Sequence, residues 1–193
     1  MGVAAVVLAA GASKRLGTAK QMARVGGQTL LERAVGGALK AGLEPVFVVV
    51  SEGQKTAYCV ANLDSRVVMV GNAEAAEGMA SSVRAGVRAA ASAGTKGVVL
   101  LACDQPAVTA EHLAELARGG DAVVGSAYAG RKGVPAYFPA RTFAELLELR
   151  GDAGARGLLQ AARAVELPGG ELDVDTVEDL EEAVRLYGRP EGV

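Results

Sequence analysis

Apolar residues fall along the chain in short runs, and the runs alternate between two periods. Val3 to Ala9 (VAAVVLA), Val46 to Val50 (VFVVV), Arg66 to Val70 (RVVMV), Gly97 to Ala102 (GVVLLA) and Ala122 to Ser126 are dense in apolar or β-branched side chains. Runs of this kind suit strands buried on both faces, as inside a parallel sheet. Between them the period changes to that of a helix. Leu30, Leu31, Ala34, Val35, Ala38 and Leu39 share one helical face, Thr29-Leu-Leu-Glu32 reads as a capping box, and Gly42 is a stop. Further helices are expected over 54–62, from a cap at Ser81 or Ser82 to about Ala91, from Thr109 to Arg118, over 141–149 and 157–164, and from a second capping box at Thr176-x-x-Asp179 to about Tyr187. Residues 128–139 read as a hairpin or loop leading into an extended segment, and Glu171 to Thr176 as a short strand.

Strand alternating with helix predicts an α/β fold with a mostly parallel sheet and right-handed crossovers. Ligands bind such sheets at the carboxyl ends of the strands. The stretches 10–21 and 72–82 and the residue Asp104 all follow strands in this reading, so they are expected on one face. No linker, repeat or low-complexity tract interrupts residues 1–193, which points to one domain.

The first strand breaks into Ala10-Gly-Ala-Ser-Lys-Arg-Leu-Gly-Thr-Ala-Lys-Gln21. Small residues with Lys14, Arg15 and Lys20 beside them suit a backbone cradle for phosphate, with Gly11 and Gly17 allowing close approach or positive φ. An ordinary turn with solvated cations is the plainer alternative. The loop is not a Walker A: Gly11 and Gly17 have five residues between them, not four, and Thr18 follows. No Gly-x-Gly-x-x-Gly follows any strand, which disfavours a dinucleotide site.

Composition narrows the partners. The chain is 50% hydrophobic but only 4% aromatic, so its core is built from Val, Leu and Ala. A formal net charge of −2 with interspersed signs argues against bulk nucleic-acid binding. Cys59 and Cys103 have no metal-ligand spacing, which fits a reducing cytoplasm without a disulfide scaffold or zinc site. No apolar run is long enough to span a membrane, and the N-terminus lacks the basic region of a signal peptide. His112, the single histidine, is expected as a surface or helix-start residue, which leaves no Ser-His-Asp triad elsewhere.

Asp104, at the end of an apolar strand and followed by Gln-Pro, is a hard oxygen ligand suited to Mg²⁺. Asp173 and Asp175 are expected to point the same way and to offer a second carboxylate; capping of the last helix is the alternative for them.

LAAGASKRLGTAKQ (8–21) resembles the signature of GT-A-like, sugar-nucleotide-type nucleotidyltransferases. EGMASSVRAG (77–86), ACDQP (102–106), GDAGAR (151–156) and DVDTVEDL (173–180) narrow the resemblance to the molybdenum cofactor cytidylyltransferase family, from end to end of the chain. The resemblance implies a single-domain, three-layer α/β/α sandwich and a cytoplasmic enzyme that moves CMP from CTP to molybdopterin or molybdenum cofactor, with Mg²⁺ and release of pyrophosphate. It implies that backbone near Leu8, Ala10 and Gly11 faces the base, that Arg15 and Lys20 neutralise phosphate charge, and that Gly78, Ser81 and Ser82 read pyrimidine and ribose. Asp104 and Asp175 would hold the metal, with Asp173 the lesser candidate. Asp152 and Arg156 would contact the acceptor, and a molybdoenzyme would receive the product. Guanylyl-transferring relatives tend to carry a second Gly at the position of Ala10, which favours CTP over GTP. Where relatives often read Gly-His-Pro, this chain has Gly133-Val134-Pro135, so a pterin-facing His is missing.

Two rival readings stand beside this one. One is a nucleotidyltransferase for another acceptor: guanylyl transfer to the cofactor, or transfer to a sugar or alcohol phosphate. The other is a nucleotide-binding chaperone that hands over a cofactor without catalysis.

Overall fold

The computed structural model describes residues 2–11, 16, 19–54, 64–152 and 154–188. The main sheet has seven strands: β1 (Val3–Leu8), β4 (Val46–Ser51), β5 (Val67–Asn72), β6 (Gly97–Ala102), β7 (Val124–Tyr128), β8 (Arg131–Pro139) and β9 (Arg163–Glu166). They lie in the order β5-β4-β1-β6-β8-β7-β9. β8 alone runs antiparallel to the others. A separate ribbon joins β2 (Arg24–Val25) to β3 (Gln28–Thr29). Its turn, Gly26-Gly27, has φ of 63° and 82°, the double left-handed turn that favours glycine.

Alternation on the buried strands sorts side chains into two cores. Ala5, Val7, Val46, Val48, Val99 and Leu101 face α1 (Leu30–Lys40) and α3 (Ala110–Ala117). Ala4, Val6, Phe47, Val49, Val98 and Leu100 face α2 (Met79–Ser92), α4 (Phe143–Leu147) and α5 (Arg156–Leu159). The result is a three-layer α/β/α sandwich. A third, small cluster of Val25, Leu30, Val174 and Ala183 seats α6 (Val177–Tyr187) on the ribbon. α2 approaches the sheet closely at Gly86, where a Cβ would collide with Val6 Cγ1 and stand 3.1 Å from Val49 Cγ2.

The capping boxes at Thr29/Glu32 and Thr176/Asp179 are both formed. Other expectations are corrected. α2 begins at Met79 with Gly78 as its cap, so Ser81 and Ser82 sit inside its first turn rather than capping it. The fifth strand runs over 124–128, and 131–139 is a full strand joined to it by Ala129-Gly130, at φ of 47° and 71°. The helix expected over 157–164 stops at Leu159, and residues 163–166 pair with β7 instead. A free backbone edge on β7 outweighs the weak helical preference of an Ala-rich segment. The 141–149 helix is shortened to 143–147 behind a 3-10 turn at Ala140–Thr142. No ladder forms over 171–176; one backbone bond, Val174 N to Asp104 O at 2.9 Å, anchors the segment before it turns into α6. The expected 54–62 helix falls almost wholly outside the described residues; only its first position is seen, at the end of a 3-10 turn over Glu52–Gln54.

Candidate active site

The carboxyl ends of β1, β5 and β6 bring the predicted residues to one edge of the sheet. Leu8 ends β1, and its carbonyl accepts from Cys103 N at 3.3 Å, so the stretches after β1 and β6 leave side by side. Ala10 is half-buried and Gly11 exposed. The backbone of this loop is pinned from below by Gln21, which is fully buried. Its Nε2 donates to the carbonyls of Ala9 at 2.6 Å and Gly11 at 3.0 Å. Gly11 has no positive φ, and an added Cβ would make only ordinary contact with Lys20 Cε at 3.7 Å. Arg15 and Gly17 lie outside the described residues.

Lys20 reaches across to both carboxylates. Its Nζ donates to Asp104 Oδ2 and, at 3.0 Å, to Asp175 Oδ1. Burial alone would lower the Lys20 pKa, but the Asp104 charge and the bonds to both carboxylates outweigh it and raise the value. The two carboxylates thus favour the charged form of Lys20. The second oxygen of Asp104, Oδ1, is buried with no hydrogen-bond partner among the described residues. An orphaned carboxylate oxygen in a buried place is costly, and it fits a site meant for a further positive charge. Asp175 is delivered by the Val174–Asp104 backbone bond and by the α6 cap, where Asp175 N donates to Asp179 Oδ2 at 3.1 Å. Asp173 and Asp175 have different surroundings. Asp175 touches Lys20, whereas Asp173 is half-buried beside Asp104, and burial followed by the Asp104 charge pushes its carboxyl up to about 6. Among the described residues, no group of three or more His, Cys, Asp or Glu side chains is placed to hold a metal ion.

The next wall is the start of α2. Gly78 has φ +119°, and a Cβ there would meet Asp152 Oδ1 and stand 2.7 Å from Gly151 O, so only glycine fits. Asp152 thus packs against the Gly78 turn. Ser81 Oγ donates to Gly78 O at 2.8 Å.

Two residues with no role in the sequence reading hold this wall. Asn72 Nδ2 donates to Ser81 Oγ at 2.9 Å and Ser82 Oγ at 3.1 Å, and its Oδ1 accepts from Glu74 N at 3.0 Å. Arg84, 4% exposed, donates to Glu77 Oε1 and Leu149 O, both at 2.8 Å, to Glu74 Oε2 at 2.9 Å and to Glu77 Oε2 at 2.5 Å. Glu77 also accepts from Gly151 N at 3.3 Å, and Arg84 first, then Gly151, hold its carboxyl down at about 2. The available signal was an arginine among the buried small and apolar positions of α2 and an asparagine closing an apolar strand.

Arg156 begins α5 on the far side of β6, at a cleft it shares with Arg131. His112 does start α3, with its N–H on Thr109 Oγ1, yet it is buried, and its Nε2 lies 2.7 Å from Ser126 Oγ. Ser126 in turn donates to Pro135 O at 2.6 Å, which makes the imidazole a core bridge between α3 and β7. Cys103 is buried, and burial, then the Asp104 charge, raise its thiol above the usual range, which disfavours the thiolate. Among the described residues no helix is long and apolar enough to cross a membrane.

This arrangement suits phosphoryl chemistry: a cation and two carboxylates with an unused oxygen, beside the start of the loop after β1 at one strand edge. Comparison with known proteins agrees. Residues 5–166 match the MobA-like NTP transferase domain. Purine catabolism protein PucB of Bacillus subtilis (strain 168) is 33% identical over 190 residues, covering 91% of this chain and 93% of that protein. A probable molybdenum cofactor guanylyltransferase of Opitutus terrae is 34% identical over 116 residues, 60% of this chain and 54% of the relative. The crystal structure of Rv0371c from Mycobacterium tuberculosis H37Rv superposes with TM-score 0.78 at 31% identity, over 96% of this chain and 99% of that one. Its manganese complex gives TM-score 0.72 at 26% identity, over 96% and 98%. The chain belongs to the MobA-like NTP transferase family and is a nucleotidyltransferase of GT-A-like fold.

Proposed function

We propose that the enzyme moves CMP from CTP to a phosphorylated pterin-type acceptor, the molybdenum cofactor or its molybdopterin precursor, and releases pyrophosphate with a divalent metal. The observation that carries this reading is the Lys20 bridge between Asp104 and Asp175, with Asp104 Oδ1 left over. The donor set is hard oxygen beside a phosphate cradle, which suits Mg²⁺ or Mn²⁺, and the manganese complex of Rv0371c supports a divalent ion. Asp104 and Asp175 would hold that ion, which when bound neutralises phosphoryl charge.

An oxygen of the acceptor phosphate attacks the α-phosphorus in line. The new P–O bond forms as the bond to the bridging α–β oxygen breaks, and pyrophosphate leaves with that electron pair. No covalent enzyme intermediate is needed. Lys20 is charged throughout, so it is assigned to the non-bridging oxygens of the α-phosphate, with Arg15 on the rest of the triphosphate. Backbone at Leu8, Ala10 and Gly11 is assigned to the base, and Gly78, Ser81 and Ser82 to base and ribose. Asp152 and Arg156 are assigned to the acceptor.

A second reading, guanylyl transfer from GTP, is favoured by the printed name of the Opitutus relative; Ala10 favours CTP. The two separate on a panel of CTP, GTP and UTP with Mg²⁺ or Mn²⁺ and molybdopterin, scored by pyrophosphate release. CTP is expected to give the highest kcat/KM. A GTP preference would replace the donor assignment, and nucleotide binding without release under any acceptor would favour a cofactor carrier.

A further inference from the structure

One cleft takes no part in the donor site. It measures about 450 Å³ and is lined by Arg131 and Lys132 of β8 and by Arg156, Gly157, Leu159 and Gln160. Because β8 runs antiparallel beside β6, its first residues stand at the same sheet edge as the end of β6 that leads to Asp104. The Lys132 ammonium is consumed by the wall: it donates to the carbonyls of Gln160 at 3.0 Å and Ala162 at 2.6 Å, tying the end of α5 to β8.

Arg131 and Arg156 are placed differently. Both are exposed, and neither meets a carboxylate within salt-bridge distance among the described residues. Arg131 is steadied by the Tyr128 ring, with its guanidinium carbon 5.3 Å from the ring centroid. Tyr128 is itself held by its hydroxyl, which donates to Val134 O at 3.0 Å. The antiparallel pairing of β8 with β6 puts Arg131 at the sheet edge where Asp104 follows β6, so cleft and catalytic centre adjoin.

Two guanidinium forks at a cleft, neither in an ion pair among the described residues, match an oxyanion such as phosphate or carboxylate. The nucleotide is the wrong source for it. The donor loops follow β1 and β5, on one side of β6, whereas the cleft lies over β8 and β7 on the other. We infer that Arg131 and Arg156 bind an anionic group of the acceptor other than the phosphate that reacts, one or two strand spacings away, about 5–10 Å. This rests on the proposed transfer to a phosphorylated acceptor. It makes the acceptor an elongated molecule with anionic groups at two places, and it makes this arginine pair the gauge of its length.

Two measurements test it. The first needs no catalysis: phenylglyoxal modification of each arginine is followed by peptide mass spectrometry, with and without inorganic phosphate. Phosphate is expected to protect Arg131 and Arg156 but not the exposed Arg118; equal rates at all three overturn the inference. The second is steady-state pyrophosphate release by R131Q and R156Q. Loss of one charge-assisted contact should raise the acceptor KM about tenfold, with kcat and the nucleotide KM unchanged. A rise in the nucleotide KM instead assigns the cleft to the donor and overturns the inference. If wild-type enzyme releases no pyrophosphate with any acceptor, the proposed function fails, and the protection result still decides whether the cleft is an anion site.

Discussion

Arg84 and Arg131 are the same side chain in opposite circumstances. Arg84 is buried and saturated: two carboxylates and a backbone carbonyl take its donors, and those partners belong to the turn before α2 and to the loop after α4. Arg131 is exposed at a cleft, stacked on one ring, and meets no acid at salt-bridge distance among the described residues. The difference teaches how the two walls of the site work. The wall assigned above to the donor is already tied together: Asn72 holds Ser81 and Ser82, and Arg84 holds the turn before Gly78, so little ordering would be left for binding. The wall assigned to the acceptor offers exposed charge. A preorganised wall suits a small repertoire of bases, and an electrostatic wall suits one anionic partner whose own shape completes the site.

That contrast can be broken in several ways. The largest effect is expected from the cation between the walls: Lys20→Ala should lower kcat about 10²- to 10³-fold, the scale of losing one preorganised charge stabiliser. Steady-state pyrophosphate release measures it, and a change in acceptor KM alone would contradict the placement of Lys20. Next is the donor wall. Arg84→Met leaves Glu74, Glu77 and the Leu149 carbonyl without their partner, and should raise the nucleotide KM about tenfold and lower the melting temperature. Arg84→Lys keeps the charge but cannot fork to both oxygens of Glu77, so it should recover only part of the loss. An unchanged nucleotide KM in both variants would mean that the wall does not depend on its pin.

A smaller effect separates position from packing. Gly86→Val forces α2 off Val6 and should cost about 1–3 kcal/mol of stability by overpacking, read in a denaturant titration. An unchanged midpoint would mean that α2 and the sheet make room for the added side chain at Val6 and Val49. The smallest concerns His112. Burial lowers its pKa in the folded protein, with Glu115 opposing. The unfolded chain then binds more protons between the folded value and the ordinary 6.5, so stability is present above 6.5 and falls as pH drops below it. His112→Gln should flatten that slope in melting temperatures taken from pH 7.5 to 5; an unchanged slope would assign it to other groups.

How much of this was legible in the residues depends on how locally each feature is determined. The interior strands announce themselves as apolar, β-branched-rich runs, and the helix starts at Thr29 and Thr176 as capping boxes four residues long. β9 was not legible, because Arg163-Ala-Val-Glu166 has no period strong enough to resist either assignment, and the open edge of β7 decides it. The extended 171–176 segment misled for the converse reason: its alternation is real, but no strand lies beside it to pair with. The candidate site was legible as residue types at the ends of strands. Its wiring was not. Lys20 meets Asp104 and Asp175 across 84 and 155 residues, and Arg84 meets Leu149 across 65, distances that only the sheet order closes. Arg131 escaped because a cation in a hairpin reads as solvated until the empty cleft beside it is seen.

Asp104 is assigned to a catalytic centre for nucleotidyl transfer and not to the scaffold. Asp104→Asn keeps the shape and removes the charge from the residue that carries the orphaned oxygen. Pyrophosphate release by this variant is the most direct test, with CTP binding and melting temperature measured alongside. The account predicts release reduced at least about 10²-fold while the protein stays folded and still binds CTP. Release at the wild-type rate would contradict it.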